Sequence, residues 1–307
     1  LNNHIGGPLT LLKLKKEHQI AIIEMGANHP NDIQELCEIA EPNYGIISNI
    51  GKAHLLGFKN IDGVIQTKTA LYRAVQQNNG LLFVNSDDEI LCKNLPTSVK
   101  YLFYSAAEKQ DLYITGKLVK LTPFIHLKWK NQDYESPELE TQIIGEYNFY
   151  NLLAAITIAT HFKVDPEKIN TAIRDYRNEN NRSQLVKTAK NELIMDAYNA
   201  NPSSMKSAIN SFNKIEHSNK LMILGDMFEL GDETFEEHKN IVKLAQDTHI
   251  KTFFVGNYFA THAQQENNFF KDKETLRTYL NEHSIANYLI LLKGSRGIAL
   301  ESLVDLL

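Results

Sequence analysis

Short apolar runs alternate with amphipathic stretches along most of the chain, and each apolar run ends in a polar or glycine-containing turn. Continuous apolar runs of this length are typical of parallel strands that are buried on both faces. The pattern predicts strands at residues 20–28, 44–54, 81–88, 192–202, 221–231, 251–259 and 288–297. It predicts helices that begin near Asp32 and that cover residues 203–215, 235–247 and 298–307. Such alternation indicates a doubly wound α/β fold with right-handed crossovers.

Residues 112–144 depart from this pattern. Within FIHLKWK, the apolar residues Ile125, Leu127 and Trp129 alternate with polar ones, and a turn is predicted at Gly116. Alternation with a period of two is typical of antiparallel strands that have one solvated face. The segment therefore predicts an antiparallel subregion within a mostly parallel sheet.

The length of 307 residues corresponds to about two domains, at roughly 100 to 200 residues per domain. An apolar helix is predicted at residues 151–162, and the polar stretch 176–184 is typical of a linker. We therefore predict domains at residues 1–179 and 180–307.

Charge and cysteine content exclude several classes of protein. The chain has 32 basic and 37 acidic residues, a formal net charge of −5, and no block of five or more like charges. Nucleic acid and anionic membranes are therefore poor candidates for its main partner. Cys37 and Cys92 are too few for a disulfide framework or a cysteine-based zinc site, so a reducing cytoplasm fits best. No apolar run reaches the 18 or so residues that span a bilayer, which predicts no membrane insertion.

Three chemically useful side chains follow the first predicted strands: Glu24 in EMGANHP, His54 in NIGKAHLLGF and Lys68 in GVIQTKTALY. Loops at the carboxyl ends of parallel strands converge, so these residues are candidates for a cation and phosphate site. Each also has an ordinary structural interpretation. A glutamate can belong to a first helical turn, a histidine to a satisfied interior, and a lysine to a solvated surface.

The loops of the second half have a different set of polar residues, in DAYNANPSSM, GDMFELG and KGSRG. These residues are Asp196, Asn199, Asn201, Asp226, Glu229, Lys293, Ser295 and Arg296. An acidic residue directly after an apolar run suits a ribose hydroxyl, and adjacent Lys and Arg side chains suit a carboxylate or phosphate. The asparagines can instead be helix caps, and KGSRG can be an ordinary strand-to-helix turn.

Several strings of this chain together resemble the Mur ligase family. They are LNNHIGGPLTLL, IEMGANHPNDI, ISNIGKAHLLGF, GEYNFYNLLAA, RSQL, DAYNANPSSMKSAI, LGDMFELG and KGSRG, in collinear order from residue 1 to about 300. The combination of DAYNANP with GDMFELG is more specific than any single glycine-rich motif. The resemblance implies a central ATPase domain, mostly parallel with an antiparallel subregion, followed by a Rossmann-like α/β C-terminal domain.

The reaction that the resemblance implies is ATP-dependent formation of a peptide bond in peptidoglycan precursor synthesis. The strings favour the type that joins D-alanyl-D-alanine to UDP-N-acetylmuramoyl-tripeptide through an acyl phosphate. The implied protein acts as a cytoplasmic monomer and uses ATP and Mg²⁺. Magnesium is needed because it screens the repulsion between the anionic carboxylate and the triphosphate.

The resemblance also implies roles for individual residues. Glu24, His54 and Lys68 correspond to magnesium ligands, and Lys68 to the lysine that the family carbamylates, which turns an amine into a carboxylate. Lys68, His54 and Arg182 are the implied catalytic residues. The implied nucleotide-binding residues are Asn148 and Asn151 at adenine, Asp196 at ribose and Arg182 at phosphate. The residues implied near the dipeptide and the acyl phosphate are Asn199, Asn201, Lys293, Ser295 and Arg296.

Three departures from the family pattern stand out. Tyr147 replaces the usual histidine before the first asparagine, and Ala70 replaces a common glutamate after the modified lysine. The phosphate-loop pattern G-x-x-x-x-G-K-[ST] does not occur in this sequence. The match begins downstream of that loop, so the resemblance implies a fragment with a truncated central domain. We expect this chain alone to have negligible ligase activity.

Two other functions fit the same residues. One is a related amide ligase that adds a different amino acid, either another Mur-type enzyme or a folylpolyglutamate-type enzyme. The other is a non-catalytic binding module, although such a module has no need for Glu24, His54, Lys68, Arg182 and Asp196 together.

Overall fold

The computed structural model describes residues 2–51, 55–58, 60–178, 182–263 and 268–307. Its architecture is α/β, as the apolar pattern predicts, and each half of the chain contains one mixed sheet. The chain divides into two compact units, and the division passes through the antiparallel subregion. The first unit comprises Leu1–Lys117, Trp129–Glu135 and Tyr150–Pro166, and the second comprises Leu118–Lys128, Ser136–Phe149 and Glu167–Leu307. The domain boundary predicted near residue 179 lies outside the described residues.

The first sheet has the strand order β1-β2-β3-β4-β5-β6. The pairs from β1 to β4 are parallel, whereas β5 and β6 are antiparallel. This arrangement confirms the predicted antiparallel subregion inside a mostly parallel sheet. The strands are β1 (Tyr44–Ile46), β2 (Leu81–Asn85), β3 (Lys100–Ser105), β4 (Ile114–Leu121), β5 (Phe124–Lys130) and β6 (Leu139–Ile144).

Along the chain, helices occur both before and after the antiparallel segment. They are α1 (Gly6–Leu11), α2 (Asp32–Ala40), α3 (Leu55–Phe58), α4 (Ile61–Lys68), α5 (Ala70–Gln77), α6 (Glu89–Lys93), α7 (Asn148–His161) and α8 (Pro166–Asp175). The α6 helix begins directly after Asp88, whose carboxylate accepts hydrogen bonds from the amides of Ile90 and Leu91. Such a cap satisfies amide groups that the first turn of a helix leaves unpaired.

The second sheet has the order β11-β10-β9-β12-β8-β7 and is parallel except for β7. Its strands are β7 (Gln184–Lys187), β8 (Glu192–Asp196), β9 (Lys220–Gly225), β10 (Lys251–Val255), β11 (Phe269–Phe270) and β12 (Leu289–Lys293). Its helices are α9 (Pro202–Lys214), α10 (Thr234–Asp247), α11 (Asn257–Ala260) and α12 (Lys273–Glu282), with 3-10 helices at Gly231–Glu233, Arg296–Ile298 and Leu300–Leu306. Helices α9 and α10 pack on one face of this sheet and α12 packs on the other, which is a doubly wound α/β arrangement.

The central strands of the second sheet are buried on both faces. Along β8, Leu193 and Met195 belong to one apolar cluster, while Ile194 between them belongs to another. Successive side chains of a strand point to opposite faces, so a continuous apolar run serves both layers of helices. This double burial explains why the strands of this unit lack polar alternation.

Two predicted elements differ from the structure. Residues 20–27 have no strand or helix assignment, and Ile22 is 86% exposed, so the strand predicted at residues 20–28 is wrong. An apolar run forms a strand only where a neighbouring strand pairs with its N–H and C=O groups. Among the described residues, β1 is the end strand of its sheet and pairs with β2, so residues 20–27 have no strand partner there. The helix predicted at residues 298–307 is a 3-10 helix at Leu300–Leu306 instead.

Candidate functional site

The carboxyl ends of β8 and β12 bring two predicted site residues side by side. Asp196 and Lys293 are the last residues of these strands and are direct neighbours in the parallel register. Lys293 Nζ lies 2.6 Å from Asp196 Oδ2 and donates a second hydrogen bond to the carbonyl oxygen of Asn199, at 3.3 Å. Only 2% of the Lys293 side chain is exposed, so the two charges form a buried ion pair. The pair fixes the orientation of the Asp196 carboxylate.

Tyr147 lies beside this ion pair. Its hydroxyl is hydrogen bonded to the hydroxyl of Ser183, and burial together with the Asp196 carboxylate raises the pKa of Tyr147. Gly145 has a φ of +92°, and a Cβ there would lie 2.6 Å from the Tyr147 ring. Tyr147, which replaces the usual histidine of the family, is therefore accommodated by Gly145 and interacts with Asp196, the predicted ribose-binding acid.

Two arginines lie over one exposed tyrosine in the same unit. The guanidinium carbon of Arg182 is 4.1 Å from the centroid of the Tyr198 ring, and that of Arg296 is 5.6 Å away. Cation–π contacts hold such side chains in place while their N–H groups stay available. Both arginines are exposed, so the arrangement is chemically suited to a phosphate or a carboxylate. Tyr198 was not among the residues predicted from the sequence, although its position inside DAYNANP was an available signal.

Three further motif residues, Asn199, Asn201 and Ser295, form local hydrogen bonds with the main chain. Asn201 caps α9, because its side chain accepts from the amide of Ser204, whose own hydroxyl accepts from the amide of Asn201. The exposed Asn199 accepts from the amide of Ala200. The hydroxyl of buried Ser295 accepts from the amide of Phe228. The capping interpretation is correct for Asn201, and its predicted contact with substrate stays a prediction.

Asp226, one of the polar loop residues noted in the sequence, is buried in the structure. It is 2% exposed, and its carboxylate accepts hydrogen bonds from the amides of Tyr258 and Phe259. Gly256 permits this approach, because a Cβ there would lie 2.2 Å from the carboxylate and its φ is +130°. Burial raises the pKa of Asp226. Its role in the structure is to join β9 to the start of α11.

His238 is a fully buried neutral histidine next to Asp226. Its Nδ1–H donates to the carbonyl oxygen of Thr234, and its Nε2 accepts from the amide of Met227 at 3.1 Å. Asp226 Oδ1 lies 3.6 Å from the same Nε2, but the lone pair on that nitrogen is already used by Met227. Burial lowers the pKa of His238 to about 4.

We expect this histidine to make the fold less stable in mild acid. Between a pKa near 6.5 in the unfolded chain and about 4 in the fold, the unfolded state binds a proton that the native state does not. The free energy of unfolding should therefore fall by about 3 kcal/mol as the pH decreases from about 6.5 to 4. Asp226 opposes part of this decrease, because its raised pKa favours proton binding in the native state.

Urea denaturation across this pH range measures the effect. His238→Gln should flatten the slope, whereas His217→Gln, at an exposed position, should leave it unchanged. An unchanged slope in His238→Gln would show that other groups cause the acid sensitivity.

The first unit contains Glu24 and Lys68. The exposed Glu24 accepts a hydrogen bond from Asn2 Nδ2 at 3.0 Å. Lys68, at the end of α4, donates from Nζ to the carbonyl oxygen of Asn49 at 3.0 Å, and burial lowers its pKa. The third residue of the predicted metal set, His54, lies outside the described residues.

The donor atoms of these residues fit magnesium only if Lys68 is carbamylated. Among the residues that the structure describes, no three His, Cys, Asp or Glu side chains are grouped to hold a metal ion. Mg²⁺ prefers oxygen ligands, and an ammonium group repels it. Glu24 supplies a carboxylate, and Lys68 becomes an oxygen ligand only as a carbamate. A lowered pKa favours that modification, because the neutral amine is the form that reacts with carbon dioxide.

The two predicted adenine residues lie in the first turn of α7. Asn148 donates from Nδ2 to the carbonyl oxygen of Ile144 at 2.7 Å, and Asn151, at the end of the same turn, is exposed. In the first unit, Ala70 begins α5 and is buried against Ile33 and Cys37. An apolar contact thus occupies the position where the family often has a glutamate.

Asp87 is a polar centre that the sequence analysis missed. Its carboxylate accepts from Lys109 Nζ at 2.6 Å, from Ser105 Oγ at 2.7 Å and from the amide of Ala106 at 2.7 Å. The hydroxyl of Tyr150 on α7 donates to it at 3.3 Å. Burial alone would raise the pKa of Asp87, but the hydrogen bonds from Lys109, Ser105 and Ala106 outweigh it and lower the pKa. The pair of acids after β2 was the signal in the sequence.

No helix in the described part of the chain is both long enough and apolar enough to cross a membrane.

Comparison with known families gives two matches that together cover most of the chain. The Mur ligase middle domain matches residues 1–159, and the domain described as "Mur ligase, glutamate ligase domain" matches residues 181–296. The first match alone covers more than half of the chain.

Individual relatives agree with these domains. The chain is 32% identical to the UDP-N-acetylmuramoyl-tripeptide--D-alanyl-D-alanine ligase of Buchnera aphidicola subsp. Baizongia pistaciae, over 99% of this chain and 67% of that protein. It is 30% identical to the Bacillus subtilis ligase of the same name, with the same coverage of each chain. The chain thus spans about two thirds of the length of these relatives.

Solved structures show the same relationship. A crystal structure of MurF from Acinetobacter baumannii superposes with a TM-score of 0.88 at 26% identity, over 99% of this chain and 68% of that chain. MurF from Thermotoga maritima, in complex with ADP, shares the fold with a TM-score of 0.82 at 20% identity, over 97% and 69% of the two chains. With two family domains in order and relatives matched along its length, this chain belongs to the Mur ligase family.

Proposed function

We propose that this chain is the nucleotide- and acceptor-binding part of a ligase that joins D-alanyl-D-alanine to UDP-N-acetylmuramoyl-tripeptide. One observation carries the proposal: the buried pair of Lys293 and Asp196 links the KGSRG and DAYNANP motifs at one edge of the sheet. Arg182 and Arg296 lie over Tyr198, two residues beyond this aspartate. The names of the sequence relatives support the same substrates.

The proposed chemistry has two steps. A carboxylate oxygen of the tripeptide attacks the γ-phosphorus of ATP, and ADP leaves. The amine nitrogen of the dipeptide then attacks the acyl carbon, phosphate leaves with the electrons of the broken C–O bond, and the amine loses a proton. Phosphorylation is needed because a free carboxylate has no adequate leaving group. The protein contributes positioning and stabilisation of charge.

Within this proposal, four residues bind the nucleotide. Asn148 and Asn151 contact adenine from the first turn of α7, and Asp196 accepts hydrogen bonds from ribose hydroxyls. The hydrogen bond from Lys293 to Oδ2 supports this role, because it orients the Asp196 carboxylate. Arg182 neutralises phosphate charge. Its stacking on Tyr198 supports this role, because the guanidinium is held with its N–H groups available.

The remaining motif residues are proposed for the acceptor side. Arg296 binds an anionic group of the substrates, and Lys293, Ser295, Asn199 and Asn201 shape the loops around it. The contacts of Ser295 and Asn201 support a positioning role, since both join backbone segments.

A magnesium ion is part of the proposal for the first unit. Glu24, His54 and carbamylated Lys68 would hold it, and it would screen the repulsion between the triphosphate and the attacking carboxylate. The lowered pKa of Lys68 supports the modification. We further propose that the protein acts as a monomer in the cytoplasm, where ATP and UDP-linked precursors are available.

An assay of substrate choice tests the proposed function. The full-length gene product is supplied with ATP, Mg²⁺ and UDP-N-acetylmuramoyl-tripeptide, and phosphate release is measured with D-alanyl-D-alanine or with single L-amino acids. We expect release that depends on the dipeptide. A preference for one L-amino acid or for glutamate would identify another Mur-type or a folylpolyglutamate-type ligase. Ligand binding without phosphate release would identify a non-catalytic module.

A further inference from the structure

Two exposed aromatic side chains contact each other at the carboxyl end of the second sheet, where the Lys293–Asp196 pair also lies. Phe228 follows β9 and Tyr258 lies in α11 after β10. Their ring centroids are 6.3 Å apart with planes at 79°, and the residues are 39% and 44% exposed. We call Phe228 and Tyr258 the aromatic pair. Exposed aromatic rings that contact each other at a ligand-binding edge are typical of a recognition surface.

The backbone beneath the aromatic pair is tightly fixed. The amide of Phe228 donates to Ser295 Oγ at 3.0 Å, and the amide of Tyr258 donates to Asp226 Oδ2 at 2.9 Å. The amide of Ser295 donates in turn to the carbonyl oxygen of Asp226. Both rings are therefore presented by one hydrogen-bonded assembly of three loops. A surface that is ordered in this way loses little entropy when it binds a ligand.

Phe228 is also packed beside the loop that presents Arg296. A Cβ on Gly297 would lie 2.7 Å from Phe228 Cε2, so the ring covers the residue that follows the arginine. The residue before the arginine, Ser295, holds the Phe228 amide. An apolar ring and a guanidinium group thus share one short loop. This combination suits a ligand that carries a carboxylate next to a small apolar side chain.

We infer that the aromatic pair forms the apolar wall of the acceptor subsite, and that it selects the small side chains of the dipeptide. The inference rests on the proposed function and adds its specificity-determining residues. D-alanyl-D-alanine is on the order of 7 Å long and has one carboxylate and two methyl groups. Its carboxylate binds Arg296 and a methyl group packs on Phe228. An acceptor with a charged side chain would leave that charge against the rings without a partner.

The test compares KM values in the full-length gene product. Phe228→Ala and Tyr258→Ala should each raise the KM for D-alanyl-D-alanine about tenfold and leave the KM for ATP unchanged, because they remove only apolar contact. Phe228→Leu should retain most of the affinity. The enlarged subsite of Phe228→Ala should also raise kcat/KM for D-alanyl-D-leucine relative to D-alanyl-D-alanine.

Phe235→Ala is the matched control, since Phe235 is also an exposed phenylalanine but contacts the ring of His262, tilted by 42°, in another part of the unit. Its KM values should equal those of the unmodified protein. The inference is overturned if KM for the dipeptide stays unchanged in both Phe228→Ala and Tyr258→Ala. It is equally overturned if KM for ATP rises in parallel. Failure of the unmodified protein to use the dipeptide would instead reject the proposed function.

Discussion

We expect replacement of Lys293 by methionine to lower the free energy of unfolding by about 3 kcal/mol. Methionine retains most of the aliphatic volume of lysine but removes the charge that lies 2.6 Å from Asp196. The carboxylate would then remain largely buried without a cation, and an unpaired buried charge is costly. The carbonyl oxygen of Asn199 would also lose its donor. Equilibrium denaturation in guanidinium chloride at pH 7 measures the loss.

A lysine on the neighbouring strand pair provides the control. Lys187 Nζ lies 2.8 Å from Glu192 Oε1, but both side chains are well exposed. Lys187→Met should therefore cost less than about 1 kcal/mol. The double variant Lys293→Met/Asp196→Leu should recover most of the stability, because an apolar pair of similar volume removes the unpaired charge. Equal losses from Lys293→Met and Lys187→Met would mean that burial does not determine the strength of the pair.

The apolar pattern was sufficient to predict most strands of the second unit. The runs around residues 192–196, 220–225, 251–255 and 289–293 are all strands. Their first residues agree with the prediction to within one position, whereas the predicted ends lie four to six residues beyond the strands. Each run is buried on both faces, so its composition reports directly on its environment. The same reasoning failed at residues 20–28, because composition does not reveal whether a pairing strand is present.

The contacts of the site depend on strand order, which local sequence does not encode. Asp196 and Lys293 are 97 positions apart and become neighbours because β12 lies between β8 and β9. The same holds for Arg182 and Arg296, which meet over Tyr198. Motif strings identified the residues, and the fold showed which of them share a surface. It also showed that Asp226, in an equally prominent motif, is buried in the structure.

We expect Lys68→Ala to lower kcat at least about a hundredfold in the full-length gene product. The reason is the proposed carbamate, which would be lost together with the amine that forms it. The lowered pKa of Lys68 supplies neutral amine for the reaction with carbon dioxide. Removal of bicarbonate should therefore reduce activity reversibly. Phosphate release that depends on ATP, tripeptide and dipeptide is the measurement, alongside the midpoint of thermal unfolding.

Lys220 is a matched control for Lys68, because burial lowers its pKa as well and its Nζ also donates to main-chain carbonyl oxygens. Those carbonyls belong to the end of α9, including Asn213 and Ile215, so its role is to cap a helix. Lys220→Ala should lower the midpoint of unfolding and leave kcat within about twofold. Lys68→Ala should lower kcat and leave the midpoint of unfolding nearly unchanged, since it removes only one hydrogen bond, to the carbonyl oxygen of Asn49. A loss of stability in Lys68→Ala that matches its loss of activity would make Lys68 a structural residue, and the carbamate proposal would then be wrong.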